Sequence, residues 1–480
     1  MRRVRHRRLH ILGLVLLVAL VVTACVPRPN FDPPVGPRPE LGHSGRWFTD
    51  RYGRVINLRG VNFVQKFPPI SPAAAGFGED DARFLRDQGF NAVRLGVVFG
   101  AVMPEPGVLD QAYVDSIEST VHVLAREGIF TLLDFHQDGF GPAVHGNGFP
   151  EWATLTDGLP NPPDPFPTYY LTNPALQRAF DNFWANAPGP DGVALQTHYA
   201  EAVRAIAASV ATEPYVLGYD LMNEPWPGTN WSSCLTGCPD LEASLTVPFA
   251  NRMTAAIRGV DREHFVFTEP FVLFNFGSAD TSLTGLGAPL SGLSFHVYAT
   301  SPALDEAVMD HALAAGTHGD ALLATEFGAI TDTATIRRTV DAFDRRLLPW
   351  MFWAYESEVV PDVSVPPGGS NVHESSLDAL VRPSPMATNG TPTTAAFDAD
   401  TGTYDFSYAT TRPDGSAADP RYRTSLLLPH RVYPDGYTVT VTGATVRTCS
   451  TTLVLRNDPN ATNVTVHVTR GGPCAKPKVP

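Results

Sequence analysis

The chain has 480 residues, 43% hydrophobic and 18% charged, which describes a globular protein long enough for two or three domains. A formal net charge of −14 and the lack of a basic stripe argue against nucleic acid as a partner. The 44 prolines and 40 glycines point to many loops and linkers between ordered segments.

Residues 1–24 read as an export signal. Arginines and histidines crowd the first ten positions, and the apolar run at 11–24 is too short to span a bilayer. It ends Val22-Thr23-Ala24-Cys25, which resembles a bacterial lipobox. Cys25 is therefore the expected lipidation site, and the proline-rich residues 25–40 are the linker behind it. The expected location is outside the cytoplasm of a bacterium, at the cell surface or beyond it. Four cysteines remain, and an exported chain suggests two disulfides, Cys234 with Cys238 and Cys449 with Cys474. No His or Cys neighbours complete a zinc site around the close pair, so no metal is expected.

From position 41 a small hairpin is expected around Trp47-Phe48-Thr49 and Val55-Ile56, placed to plug the bottom of a barrel. Apolar runs then recur at 58–64, 92–98, 130–136, 216–223, 264–269, 293–298, 321–326 and 351–355. Helical stretches lie between most of them, at 80–88, 111–127, 196–211, 245–259, 304–315 and 333–343. Eight strands alternating with helices predict an α/β fold, a (β/α)8 TIM barrel over 41–385. The interval 139–190 is too long for a simple connection, and long loops at a barrel's upper face are usually functional. After Pro385 short β-branched and aromatic runs replace the helical pattern, with Pro-Asp-Gly turns between several of them. They predict a C-terminal β-sandwich over 386–480.

Two of the apolar runs end in a glutamate. One reads Leu221-Met222-Asn223-Glu224-Pro225, the other Ala324-Thr325-Glu326-Phe327-Gly328. Strand C-termini are where this kind of barrel keeps its chemistry, and two carboxyl groups flanking one bond are the machinery of glycoside hydrolysis. Other strand ends supply polar or aromatic partners. Arg94 is expected to orient the nucleophilic carboxylate through a bidentate contact. His136 and Asp138, in Asp134-Phe135-His136-Gln137-Asp138, are expected to bond sugar hydroxyls, as is Asn223. His296 and Tyr298 alternate onto one face and help position the carboxylates, and Trp353 suits the apolar face of a sugar ring.

The ordered set Arg94, His136, Asn223-Glu224-Pro225, His296, Tyr298, Glu326 and Trp353 resembles the clan A retaining glycosidases, glycoside hydrolase family five in particular. Within it, Leu133-Asp134-Phe135-His136-Gln137-Asp138, Gly60-Val61-Asn62 leading to Lys66, and Leu380-Val381-Arg382-Pro383 look like the endoglycoceramidase branch. The resemblance implies cleavage between glycan and ceramide in glycosphingolipids, either the general or the endogalactosylceramidase type. It implies Glu224 as acid/base, Glu326 as nucleophile, and Lys66, Asp138 and Trp353 on the glycan side. No cofactor is implied. A monomer working on a glycosphingolipid at a membrane surface is expected.

Retention predicts the carboxyl groups about 5 Å apart, with Glu224 held above its ordinary pKa and Glu326 kept low. A ceramide leaving group calls for an apolar exit, expected from Phe140, Phe149, Trp152, Phe183 and Trp184, or from Phe271, Phe274 and Phe276. The alternatives are an endo-β-glucanase or other family-five β-glycosidase with an open groove, and a non-catalytic surface protein that binds carbohydrate or lipid.

Overall fold

The computed structural model describes residues 35–277, 279–298 and 301–474. The signal segment and Cys25 lie outside the described residues. Three short strands come first, β1 (Gly42–Ser44), β2 (Trp47–Thr49) and β3 (Val55–Ile56). Eight parallel strands then close a barrel: β4 (Arg59–Phe63), β5 (Ala92–Val97), β6 (Phe130–Phe135), β7 (Val216–Asp220), β8 (Phe265–Thr268), β9 (Ser291–Val297), β10 (Ala321–Phe327) and β11 (Trp350–Phe352).

Every residue of β5, β6, β9 and β10 is buried, which is why these strands read as apolar runs without alternation. In β7, a Cβ at Gly218 would sit 2.3 Å from the Phe265 carbonyl, so only glycine lets β7 and β8 approach this closely. Outer helices cover the strands. Helix Gln111–Arg126 starts at Asp110, whose side chain accepts from the Tyr113 N–H at 3.1 Å.

Eight further strands complete the chain: β12 (Ser384–Thr388), β13 (Thr391–Asp398), β14 (Thr403–Ala409), β15 (Thr424–Leu427), β16 (Tyr437–Thr442), β17 (Ala444–Cys449), β18 (Thr452–Asn457) and β19 (Asn463–Arg470). They form two antiparallel sheets, β13-β14-β19-β16 and a seven-stranded sheet ordered β1-β2-β3-β12-β15-β18-β17. Tyr404, Phe406, Tyr408, Leu426 and Leu453 fill the space between. Cys449–Cys474 and Cys234–Cys238 are both bonded.

The second sheet corrects the role expected of the N-terminal hairpin. Phe48 does plug the barrel bottom, packed with Phe265, Phe267 and Leu323. But β3 also pairs with β12, so the hairpin belongs to the sandwich sheet as well. The buried Arg54 guanidinium bonds Asp50 in the hairpin and the Arg423 carbonyl in the sandwich, at 3.2 Å. Two further arginines converge on Asp344: Arg59 from β4, and Arg382, whose Nε lies 3.1 Å away just before β12. The barrel's lower end is thus built jointly with the C-terminal strands.

Truncation after Pro385 would cut β12 in two, leave β3 without its partners Ala387 and Thr388, and uncover this buried charge. The expected outcome is loss of soluble, cooperatively melting protein rather than a free active barrel. Circular dichroism melting of the truncated chain against the full one checks it.

Candidate active site

The upper end of the barrel is organised by Arg94, wholly buried in the middle of β5 rather than at its end. Its Nε and Nη2 both reach Asp220 Oδ2, at 3.1 and 3.0 Å. Nη2 also donates to Asp134 at 2.9 Å and to Asn223 Oδ1 at 3.0 Å. Nη1 donates to Asn62 at 3.3 Å and to Glu326 Oε1 at 2.5 Å. The expected bidentate clasp on Glu326 is therefore a single contact, because the rest of the guanidinium is taken up by Asn62, Asp134, Asp220 and Asn223.

Glu326 lies near the end of β10 and also accepts from the Tyr298 hydroxyl at 3.1 Å. Glu224 lies four residues beyond β7, with φ at 43°. A non-glycine residue holds that left-handed conformation only when its surroundings fix it. Glu269 Oε2 accepts the Glu224 N–H at 2.9 Å. On the other side Gln137 Nε2 donates to the carbonyls of Asn223 and Glu224, at 2.8 and 3.0 Å.

His296 joins the two glutamates. Its Nδ1 is 2.9 Å from Glu224 Oε1 and 3.5 Å from Glu326 Oε2. The two oxygens can lie no farther apart than those two distances laid end to end. That bound admits the spacing of about 5–5.5 Å used for retention.

Burial, then the nearby Asp138 carboxylate, pushes Glu224 up to about 7. Glu326 is also raised, against expectation: its burial outweighs His296 and Arg94. Yet Glu326 touches a permanent cation and Glu224 does not, so the proton the pair shares belongs on Glu224. His296, pushed down to about 3 by burial, is neutral. His136 is the opposite case. Burial opposes its charge, but Asp134 at 2.6 Å and Asp138 at 3.3 Å override it and raise the imidazole to about 9.

On the third side Lys66 Nζ pairs with Asp138 at 2.5 Å and lies 4.3 Å from the centre of the Trp353 ring. The His136 ring stacks on Trp353 at 5.4 Å. Asp138 is pinned by its loop, through paired backbone hydrogen bonds with Asn147 at 3.2 and 2.7 Å. Gly148 makes that return possible: it has φ of 111°, and a Cβ there would meet the Gln137 backbone at 2.7 Å.

These groups line one end of a cleft of about 470 Å³. Its polar end holds Lys66, Asp138, Glu224, Tyr298, Glu326 and Trp353. Its other end is apolar: Phe166, Pro167, Leu171, Val272, Leu273 and Phe276. Phe166 is 61% exposed, Leu171 47% and Phe276 41%. Phe276 alone of the aromatics expected at the exit is in this lip. Phe140, Phe149, Phe183, Trp184, Phe271 and Phe274 are buried, and Trp152 packs half-buried against them. They hold the long loops down on the barrel. The lip is made instead by Phe166 and Leu171, within the long interval after β6, and by the turn after β8.

The sequence pattern assigns Lys66, Arg94, His136, Asp138, Asn223, Glu224, His296, Tyr298, Glu326 and Trp353 to one end of the barrel, and the structure places them all there. It misses Glu269, Asn275, Gln137 and Asp220. Glu269 carries a readable signal. Phe265-Val266-Phe267-Thr268-Glu269-Pro270 has the same form as the run ending Asn223-Glu224-Pro225. Asn275 gives none, because only its turn brings Nδ2 within 3.3 Å of both Glu224 and Glu269. Among the described residues, Glu224, Glu269 and His296 are the group whose ligand-type atoms lie close enough for a metal. Hydrogen bonds among these groups and Asn275 already occupy the space, and the arrangement suits proton transfer.

Comparison with known proteins agrees with this geometry. The sequence model for cellulase (glycosyl hydrolase family 5) matches residues 49–359, and that for the glycoside hydrolase family 5 C-terminal domain matches 382–469. Endoglycoceramidase I of Rhodococcus hoagii is 33% identical over 476 residues, spanning 92% of this chain and 88% of that protein. The structure of endo-glycoceramidase II from Rhodococcus sp., as its lactosyl-enzyme intermediate, superposes with a TM-score of 0.72 and 31% identity, over 88% of this chain and 99% of that one. An endogalactoceramidase crystal structure gives 0.71 and 26%, over 90% and 100%.

A proton on Glu224 is needed for protonating a leaving group. It is present below the raised pKa and lost as the pH rises through about 7. The kcat/KM profile is therefore expected to fall on its alkaline side near neutrality, and in Glu224→Gln that limb should vanish along with most of the turnover of substrates with poor leaving groups.

Proposed function

The chain belongs to glycoside hydrolase family 5, and we propose that it is an endoglycoceramidase, a retaining endo-glycosidase that separates the intact glycan of a glycosphingolipid from its ceramide. The observation that carries this reading is the two-ended cleft. A set of charged and aromatic groups around the two glutamates suits the sugar, and the exposed apolar side chains Phe166, Leu171 and Phe276 lining the same cleft suit the lipid. Relatives and structural neighbours bearing the endoglycoceramidase name over nearly the whole chain support it.

In the first step a carboxylate oxygen of Glu326 attacks the anomeric carbon. The bond to the ceramide oxygen breaks, and that oxygen takes the proton of Glu224. In the second, Glu224, now a carboxylate, takes a proton from water. The water oxygen displaces Glu326 from the anomeric carbon, and free glycan leaves. The structural neighbour captured as a lactosyl-enzyme supports a covalent route.

An endo-β-glucanase would need an open groove of sugar-binding groups, whereas one end of this cleft is a lip of Phe166, Leu171 and Phe276. A non-catalytic binding protein would have no use for two buried carboxyl groups sharing a histidine. We read the lip as the part of the enzyme that meets a membrane surface or micelle.

Hydrolysis of one glucosylceramide-linked and one galactosylceramide-linked glycosphingolipid, beside a soluble β-glucan, tests the reading. The wild type should release intact glycan and ceramide, and Glu326→Gln should lower turnover by about a thousandfold or more. Cleavage of the glucan alone would replace this reading with the glucanase one.

The N-terminal sequence supports export and anchoring through Cys25. In the native host, Cys25→Ala is expected to move the protein from the membrane fraction to the soluble one without changing activity on a soluble aryl glycoside.

A further inference from the structure

Glu269 is a buried carboxyl group that the two-step reaction does not use. It lies just past β8, beside Glu224. Its Oε2 accepts the Glu224 N–H at 2.9 Å. Its Oε1 accepts from Asn275 Nδ2 at 3.3 Å, and the same nitrogen lies 3.3 Å from Glu224 Oε1. Asn275 Oδ1 in turn accepts the His296 N–H at 3.0 Å. The His296 ring is fully buried, and its Nε2 makes no hydrogen bond. Glu269 Oε1 lies 3.6 Å from it. A buried ring nitrogen is costly to leave unpaired, and catalytic hydrogen bonds that are long in a free enzyme tighten when substrate fills the site.

Charge counting limits the state of Glu269. Asp134, Asp220, Glu224, Glu269 and Glu326 are five carboxyl groups around Arg94 and His136. Lys66 is already paired with Asp138. Glu269 faces Asp220 from β7, Glu224 beyond it, Arg94 from β5 and His296 from β9. Arg94 is the one permanent cation among them, and no Arg94 nitrogen bonds Glu269. A second buried carboxylate beside Asp220 and Glu224 would be uncompensated.

We propose that Glu269 is a positioning residue for the acid/base group: as an uncharged carboxylic acid it donates its proton's hydrogen bond to His296 Nε2 and so fixes the Nδ1–H tautomer. The two distances at Nδ1 give this tautomer its use. That N–H points between Glu224 and Glu326, and it donates to whichever of them is ionised at each stage. When Glu224 gives up its proton, Nδ1–H is already 2.9 Å from the new carboxylate. An ionised Glu269 would do the reverse. It would take Nε2–H as donor, turn Nδ1 into a bare acceptor, and add a negative charge next to Glu224. Burial and the neighbouring Asp220 and Glu224 carboxylates do hold Glu269 well above the ordinary glutamate range.

The proposal rests on Glu224 as the acid/base residue, and one of its tests needs no substrate. The ¹⁵N spectrum of histidine-labelled enzyme, with His296 assigned by its loss in His296→Asn, should show Nδ1 protonated and Nε2 bare at pH 6. The reverse pattern overturns the proposal even if the wild type cleaves glycosphingolipids. The expected pattern stands even if it cleaves something else.

The second test is the pH profile of kcat/KM on whichever glycoside the wild type turns over. Glu224 faces Asp138 and His136 after β6, Lys66 after β4, Arg94 on β5, His296 and Tyr298 at β9, and Glu326 on β10. Substitution at Glu269 removes none of these groups, and among them it touches His296 through Nε2. Glu269→Gln keeps a carbonyl for the Glu224 N–H, a donor for Nε2 and zero charge. It should hold kcat/KM within about threefold and leave the alkaline limb in place. Glu269→Leu removes both contacts and should lower kcat about a hundredfold with KM little changed, a loss of positioning rather than of binding. If the Gln variant moves the alkaline limb down by a unit or more, a negative charge has been removed and the proposal fails. It fails equally if Gln is as impaired as Leu.

Discussion

Arg94 is the constraint on which the rest of this active site depends. It is a guanidinium with no exposure to water, set in the middle of a barrel strand, and its cost is met only by filling its donor positions. Asp134, Asp220 and Asn223 take up most of them, and one is left for Glu326. The residues around the guanidinium are therefore selected by one another. Remove the arginine and three buried carboxyl groups lose their counter-charge together. Remove Asp220 and Ser294 also loses its partner, at 2.9 Å. The asymmetry between the two glutamates arises from the same contact. One carboxyl group touches the cation and the other sits outside its reach, which decides where a shared proton resides.

The second device is a backbone one. Glu224 stands beyond its strand in a left-handed conformation, clamped by Gln137 from the β6 side and by Glu269 from the β8 side. A carboxyl group on such a hinge would be mobile if its neighbours were water. Here they are amides and acids that hydrogen-bond its backbone and side chain and hold it beside Glu326, as proton transfer needs. The aromatic residues in the long interval after β6 serve this rigidity. Phe140, Phe149, Phe180 and Phe183 stack on one another and on Tyr199, so the loop carrying Asp138 rests on a packed floor.

Rigidity below the cleft is matched by exposure at its rim. Phe166, Leu171 and Phe276 stay in solvent while most of the other aromatics of the upper loops are buried. The cleft is lined by groups of two kinds, charged side chains around the glutamates and these exposed apolar ones. The sandwich works at the opposite end of the barrel, through β3 pairing with β12 and the ion pairs at Asp344, and contributes nothing that lines the cleft.

The sequence by itself determined the fold class and the principal site residues. Strands buried on both faces must be continuous apolar runs, and chemistry at their C-termini must appear as a polar residue ending such a run. Glu224, Glu326, His136, His296 and Tyr298 were all visible for that reason. Disulfide partners were visible because Cys234 and Cys238 close one small loop while Cys449 and Cys474 both lie in the C-terminal region. Other features depended on distances between segments that are remote in the chain, and local pattern carries no record of them. Asn275 acts on Glu224 only because a turn after β8 folds back across the site. The aromatics of the long interval looked like an exit for lipid, and their burial was decided by packing against Tyr199 and Phe249, residues outside the interval itself. The hairpin's pairing with β12 joins positions more than three hundred residues apart. The direction of the Glu326 pKa was misjudged for a related reason. Its salt bridge to Arg94 could be guessed from the sequence, but the burial that outweighs it is a property of the closed barrel alone.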